Sequence, residues 1–112
     1  MATFNYYQHA EDPAYVVTWL DSDGAVIDFS SGYTFELKLV SVSAGTVALT
    51  KTTGITGAAT APNITAQWSS GELAAITPGD YQAVLTPTTS SRQRSPFGGR
   101  TPDIIRIIAT PA

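Results

Sequence analysis

Between Tyr33 and Val40 the chain reads Y-T-F-E-L-K-L-V, with Tyr33, Phe35, Leu37 and Leu39 on one face and Thr34, Glu36 and Lys38 on the other. A period of two is the signature of a half-buried strand, because successive side chains of extended backbone point to opposite sides. The same pattern returns in Thr46–Thr52, with Val47 and Leu49 inward, and in Asn63–Ser69, with Ile64, Ala66 and Trp68 inward. It returns again from Tyr81, with Ala83 and Leu85. No long helical period occurs anywhere in the sequence. Strands that each carry one apolar face must cover one another, and the natural solution is an all-β antiparallel β-sandwich of about seven or eight short strands. A barrel is the other way to close such strands. A parallel α/β sheet is excluded, since no crossover helix is available.

Taken in order, residues 1–13 read as an N-terminal arm ending at Asp12-Pro13, and residues 14–112 as the sandwich domain. Ala14–Leu20 is a strand, Asp21–Gly24 a hairpin turn and Ala25–Phe29 a short return strand. Thr53–Pro62 is small, glycine-containing and unpatterned, which reads as a loop. Ser70–Ile76 fits one helical or 3₁₀ turn with Leu73 and Ile76 on the same side. Thr77–Asp80 turns the chain into the Tyr81 strand. Residues 87–102 form a long connection rich in Pro, Ser, Gly and Arg. The near-continuous apolar run of Asp103–Thr110 predicts a strand buried on both faces or paired with another subunit. Trp68, Leu73, Ile76 and Tyr81 are expected in the core.

Composition narrows the function classes. The chain has 112 residues, suited to one domain, and no cysteine, so no disulfide and no thiol chemistry. Charged residues are only 13% of the total, which favours strands with small polar faces over exposed helices. A net charge of −3 argues against nucleic acid as a partner. The charge is also polarised. Residues 1–91 hold eight of the nine acids and only Lys38 and Lys51 as bases, whereas the remainder holds four arginines against Asp103. Such a module could dock head to tail with a copy of itself, or the basic stretch could be a solvated loop. The N-terminus lacks the pattern of a signal peptide, and no apolar run approaches a membrane span. The expectation is a protein made in a cytoplasm and kept there until it is assembled, with no membrane partner.

The sequence offers no reaction. His9, the only histidine, lies in the arm, so no Ser-His-Asp set forms around a folded core. Asp21, Asp23 and Asp28 resemble the opening of a calcium loop, but the ligands that should close it are missing, and the turn reading stands. The expectation is a non-enzyme with no cofactor and no metal. Asn63-Ile64-Thr65 fits a glycosylation sequon that has no secretory context. Two stretches stand out as contact surfaces. One is the aromatic set Phe4, Tyr6 and Tyr7, which packs on its own domain or inserts into a neighbour. The other is Arg92, Arg94, Phe97 and Arg100, an apolar ring among arginines on a Gly/Pro stretch. A different class of function, carbohydrate binding at a host surface, would use Trp19, Trp68 or exposed tyrosines as stacking platforms.

Asp21–Leu39, D-S-D-G-A-V-I-D-F-S-S-G-Y-T-F-E-L-K-L, resembles the Ig-like N-terminal domain of phage baseplate upper proteins and related tail proteins. Leu73–Leu85, L-A-A-I-T-P-G-D-Y-Q-A-V-L, is similar to a later segment of the same family, and the order agrees. The resemblance covers about Tyr15 to Ile108. It implies an Ig-like sandwich and a virion structural role in a tail or baseplate. The implied partners are other virion proteins and the chain itself. A capsid decoration protein of the same fold is the neighbouring reading.

Overall fold

The computed structural model describes residues 3–10, 14–20, 23–89, 92–93 and 103–109. Among these, nine strands form two packed sheets, and the protein is an all-β sandwich. The strands are β1 (Thr3–Tyr7), β2 (Tyr15–Val17), β3 (Tyr33–Ser41), β4 (Val47–Lys51) and β5 (Ile55–Gly57). They continue with β6 (Ile64–Ala66), β7 (Gly79–Thr89), β8 (Arg92–Gln93) and β9 (Ile104–Ile108). The larger sheet runs β1-β9-β7-β3-β4, with β8 paired to the end of β7, and the smaller runs β2-β6-β5. Pairing is antiparallel except between β1 and β9, the two ends of the described chain, which run parallel.

The expected arm is therefore a strand at the edge of the larger sheet. Its alternation Thr3, Phe4, Asn5, Tyr6, Tyr7 puts Phe4 and Tyr6 inward beside Ile105 and Ile107 of β9. β9 is shorter than the apolar run suggested and alternates, with Ile105 and Ile107 buried and Arg106 exposed. The long connection is also shorter than expected, because β7 continues through Thr89 and Arg92–Gln93 folds back on it.

Hydrogen-bond parity fixes which strand each residue of β3 addresses. Val42 N–H bonds Asp80 C=O at 3.0 Å, whereas Ser41 N–H bonds Thr46 C=O at 2.8 Å. Even-numbered residues of β3 thus turn their main-chain groups to β7 and odd-numbered ones to β4. Pro87 pairs opposite Phe35, at a position that makes no ladder bond to β3. A residue without an N–H is tolerated there. Between Leu39 and Val40 the register slips, so that β4 carries one extra residue, Ala48. This bulge reverses the facing of Val47. Val47 was expected inward, but it stands opposite Val40 and is 51% exposed.

The core lies between the sheets. Leu37, Leu39, Leu73 and Ile105 have no exposed surface, and Trp68, Ile76 and Tyr81 join them in burial as expected. Full burial of each such side chain contributes about 1.5–3 kcal/mol. The anticipated single turn is a 3₁₀ turn at Leu73–Ala75, which delivers Leu73 into the core.

Two elements differ from expectation on the small-sheet side. The stretch read as a loop contains β5, which pairs with β6 in register Ile55↔Ala66 and Gly57↔Ile64. Gly57 is required here, since a Cβ would lie 2.0 Å from the Phe29 carbonyl oxygen. The expected return strand Ala25–Phe29 is reduced to a single bridge, Leu20↔Val26. Asn63 takes over its ladder. The Asn63 Nδ2 donates to the carbonyls of Trp19 and Ile27, each at 2.8 Å, and Oδ1 accepts from Trp19 N–H at 2.7 Å. Asn63 is completely buried, so the apparent sequon is a structural tie.

Candidate assembly surfaces

The aromatic contact set divides by depth. Phe4 meets the Tyr15 ring edge-on at 5.0 Å between centroids, and Tyr6 meets Trp68 in the same way at 5.4 Å. Tyr6, expected as a partner contact, is instead a buried core residue. Alternation along β1 places it on the sheet's inner face. Tyr7 points the other way, is 44% exposed and stacks on His9 at 6.0 Å. Of the three it alone is exposed. Among the described residues, neither the Tyr6 hydroxyl nor Trp68 Nε1 has a hydrogen-bond partner. Burial pushes the Tyr6 phenol above its ordinary pKa, and the nearby indole offsets this only in part.

Arg92 lies in β8, where its main chain pairs with Thr89. Arg94, Phe97 and Arg100 lie outside the described residues, as does Asp21 of the suspected calcium turn. The other end of that turn is self-contained. Asp28 accepts from the N–H and hydroxyl of Ser30, and these bonds hold its carboxyl below the usual range. Among the described residues, no three His, Asp or Glu side chains come together as metal ligands.

Sequence reading missed the sheet edges. β1 and β4 border the larger sheet, and natural edge strands are commonly guarded by charge, proline or a cover that blocks pairing with another chain. β1, Thr-Phe-Asn-Tyr-Tyr, contains no charged residue. β4, Val-Ala-Leu-Thr-Lys, contains only Lys51, and that side chain turns inward with no exposed surface. Its Nζ lies 2.8 Å from Glu72 Oε1 and 5.9 Å from the centre of the Trp68 ring. Glu72 Oε1 also accepts from Ser69 N–H at 2.9 Å, so one carboxylate oxygen serves both donors. The β3–β4 hairpin tip adds Val42 and Val47, each more than half exposed. The lack of charge in both segments is visible in the sequence, but their edge positions depend on tertiary pairing.

Across the outer face, Arg106 Nε bonds Asp80 Oδ1 at 2.8 Å and joins β9 to β7. This hydrogen bond lowers the Asp80 carboxyl below its usual range and raises Arg106. One of the four arginines of the basic segment is thereby paired within its own molecule. The suggested saccharide platforms fare differently, since Trp19 and Trp68 are 3% and 2% exposed and present no ring face to solvent.

Comparison with known proteins finds no matching family model, no matching curated protein and no matching solved structure.

Proposed function

We propose that this chain is a phage virion structural protein, a small non-catalytic Ig-like module of a tail or baseplate. It works through protein–protein contacts with copies of itself and with other virion proteins. The observation that carries the reading is the pair of larger-sheet edges, β1 and β4, which expose no charge to discourage strand pairing. The resemblance of Asp21–Leu39 and Leu73–Leu85 to baseplate upper proteins supplies the context. Burial of Trp19 and Trp68 leaves the carbohydrate-binding alternative only its exposed tyrosines as ring platforms.

The test is quantitative mass spectrometry of purified virions from the source of this sequence. The chain should be present at a fixed ratio to the tail proteins. Its absence from intact particles, in cells where it is expressed, would overturn the proposal.

A further inference from the structure

The free lane beside the first half of β3 deepens this reading by naming a docking mode. β7 covers one side of β3 from Tyr33 to Ser41, but β4 covers the other side only from Leu37 to Val40. Among the described residues no strand lies beside Thr34, Phe35 and Glu36 on the β4 side. By the parity established above, Phe35 is the residue of these three whose N–H and C=O face that lane. Thr52, the first residue after β4, stands at its mouth with Thr34 and Glu36.

Behind the lane the sandwich gapes. Tyr33 and Phe35 are half-buried and share the inward face of β3 with Leu37 and Leu39. Phe29, Tyr33, Phe35 and Ile55, together with serine and threonine hydroxyls, line a cleft of about 380 Å³. Glu36, the one carboxylate along the lane, is 3.5 Å from Lys38. The surface therefore combines a strand-type donor and acceptor on one residue, a recess of mixed aromatic and hydroxyl lining beside it, and one carboxylate already paired with a lysine.

We infer that this lane accepts an extended, uncharged polypeptide segment from a neighbouring protein. The segment continues the line of β4, bonds the Phe35 main chain and sets one uncharged side chain into the Phe29–Ile55 cleft. Paired main-chain groups on a strand edge select a peptide, because an extended chain offers the complementary N–H and C=O of one residue at matching spacing. A saccharide would use the ring faces and hydroxyls and leave those main-chain groups to water.

The inference rests on the proposed assembly role, and the experiment separates the two. Isotope-labelled protein is titrated with acetylated, amidated Thr-Val-Thr-Val-Thr, with the same peptide N-methylated at its valines, and with maltose. With the first peptide the Phe35 amide signal should shift and its hydrogen exchange should slow by about tenfold at saturation, the size expected for one added hydrogen bond. The N-methylated peptide and maltose should leave it unmoved. Thr52→Trp, at an exposed position, should block the lane and abolish the shift without lowering Tm. A Phe35 amide indifferent to the peptide, or one moved equally by maltose, overturns the inference. Sizing of Thr52→Trp distinguishes the two readings: if the peptide never binds but both proteins associate alike, the lane is overturned and assembly through the other edges stands.

Discussion

The Tyr15 hydroxyl donates to Asp103 Oδ2 at 2.7 Å, a buried bond between residues 88 positions apart. Tyr15 begins β2 of the smaller sheet, and Asp103 immediately precedes β9 of the larger. The Asp103 carbonyl also accepts from Ala83 N–H at 3.0 Å, so one residue ties the two sheets and positions β9 against β7. Hydrogen bonds to charged groups contribute about 1.5–3 kcal/mol, more than neutral pairs. Tyr15→Phe should therefore destabilise the fold by about 2 kcal/mol in a urea titration, with an unchanged m-value.

Tyr6→Phe should behave in the opposite way. Its hydroxyl is buried without a partner among the described residues, so its removal relieves a desolvation cost, and chemical denaturation should show equal or greater stability. The raised phenol pKa sets a second signature. The Tyr6 contribution is complete below the ordinary tyrosine pKa and is lost as pH rises through the elevated folded value. Alkaline melts of Tyr6→Phe should lack that component.

Asn63 makes three buried hydrogen bonds that substitute for a strand partner. Asn63→Ala leaves the Trp19 and Ile27 main-chain groups short of partners and should cost about 3 kcal/mol or more by urea denaturation. Hydrogen exchange should show the loss first at Trp19.

Acid titration should report the Asp80–Arg106 pair. The Asp80 carboxyl is depressed chiefly by the Arg106 hydrogen bond, so its contribution is present above the ordinary carboxylate pKa and is lost as pH falls through the lowered one. Both side chains are well exposed, and the pair should matter little to stability. In Arg106→Gln the Asp80 midpoint, followed by carboxyl carbon NMR, should move up toward the ordinary range.

Much of this architecture was legible in the residues. Alternation located β3, β6 and β7, and spacing located the turn that carries Leu73. The misses share a cause, because each depends on a distant partner. Ile55–Gly57 has no pattern of its own and becomes a strand only beside Ile64–Ala66. Val47 faces outward because of a bulge that period two cannot reveal. Asn63 fits a sequon by its neighbours alone, and only its place between Trp19 and Ile27 makes it a core residue. At the contact surfaces, the residues alone left the N-terminal aromatics between packing at home and meeting a neighbour, and alternation along β1 places Tyr6 in the core, Phe4 half-buried against it and Tyr7 outside.

The central claim, association through uncharged edges, is tested most directly by sedimentation velocity over a concentration series. The intact chain is compared with a variant carrying Asn5→Lys in β1 and Thr50→Lys in β4. Both positions are exposed, so the variant should keep the parental Tm. The account predicts that the intact chain forms concentration-dependent oligomers and that the variant sediments as a monomer. An intact chain that stays monomeric throughout, or a variant that associates equally well, would contradict it.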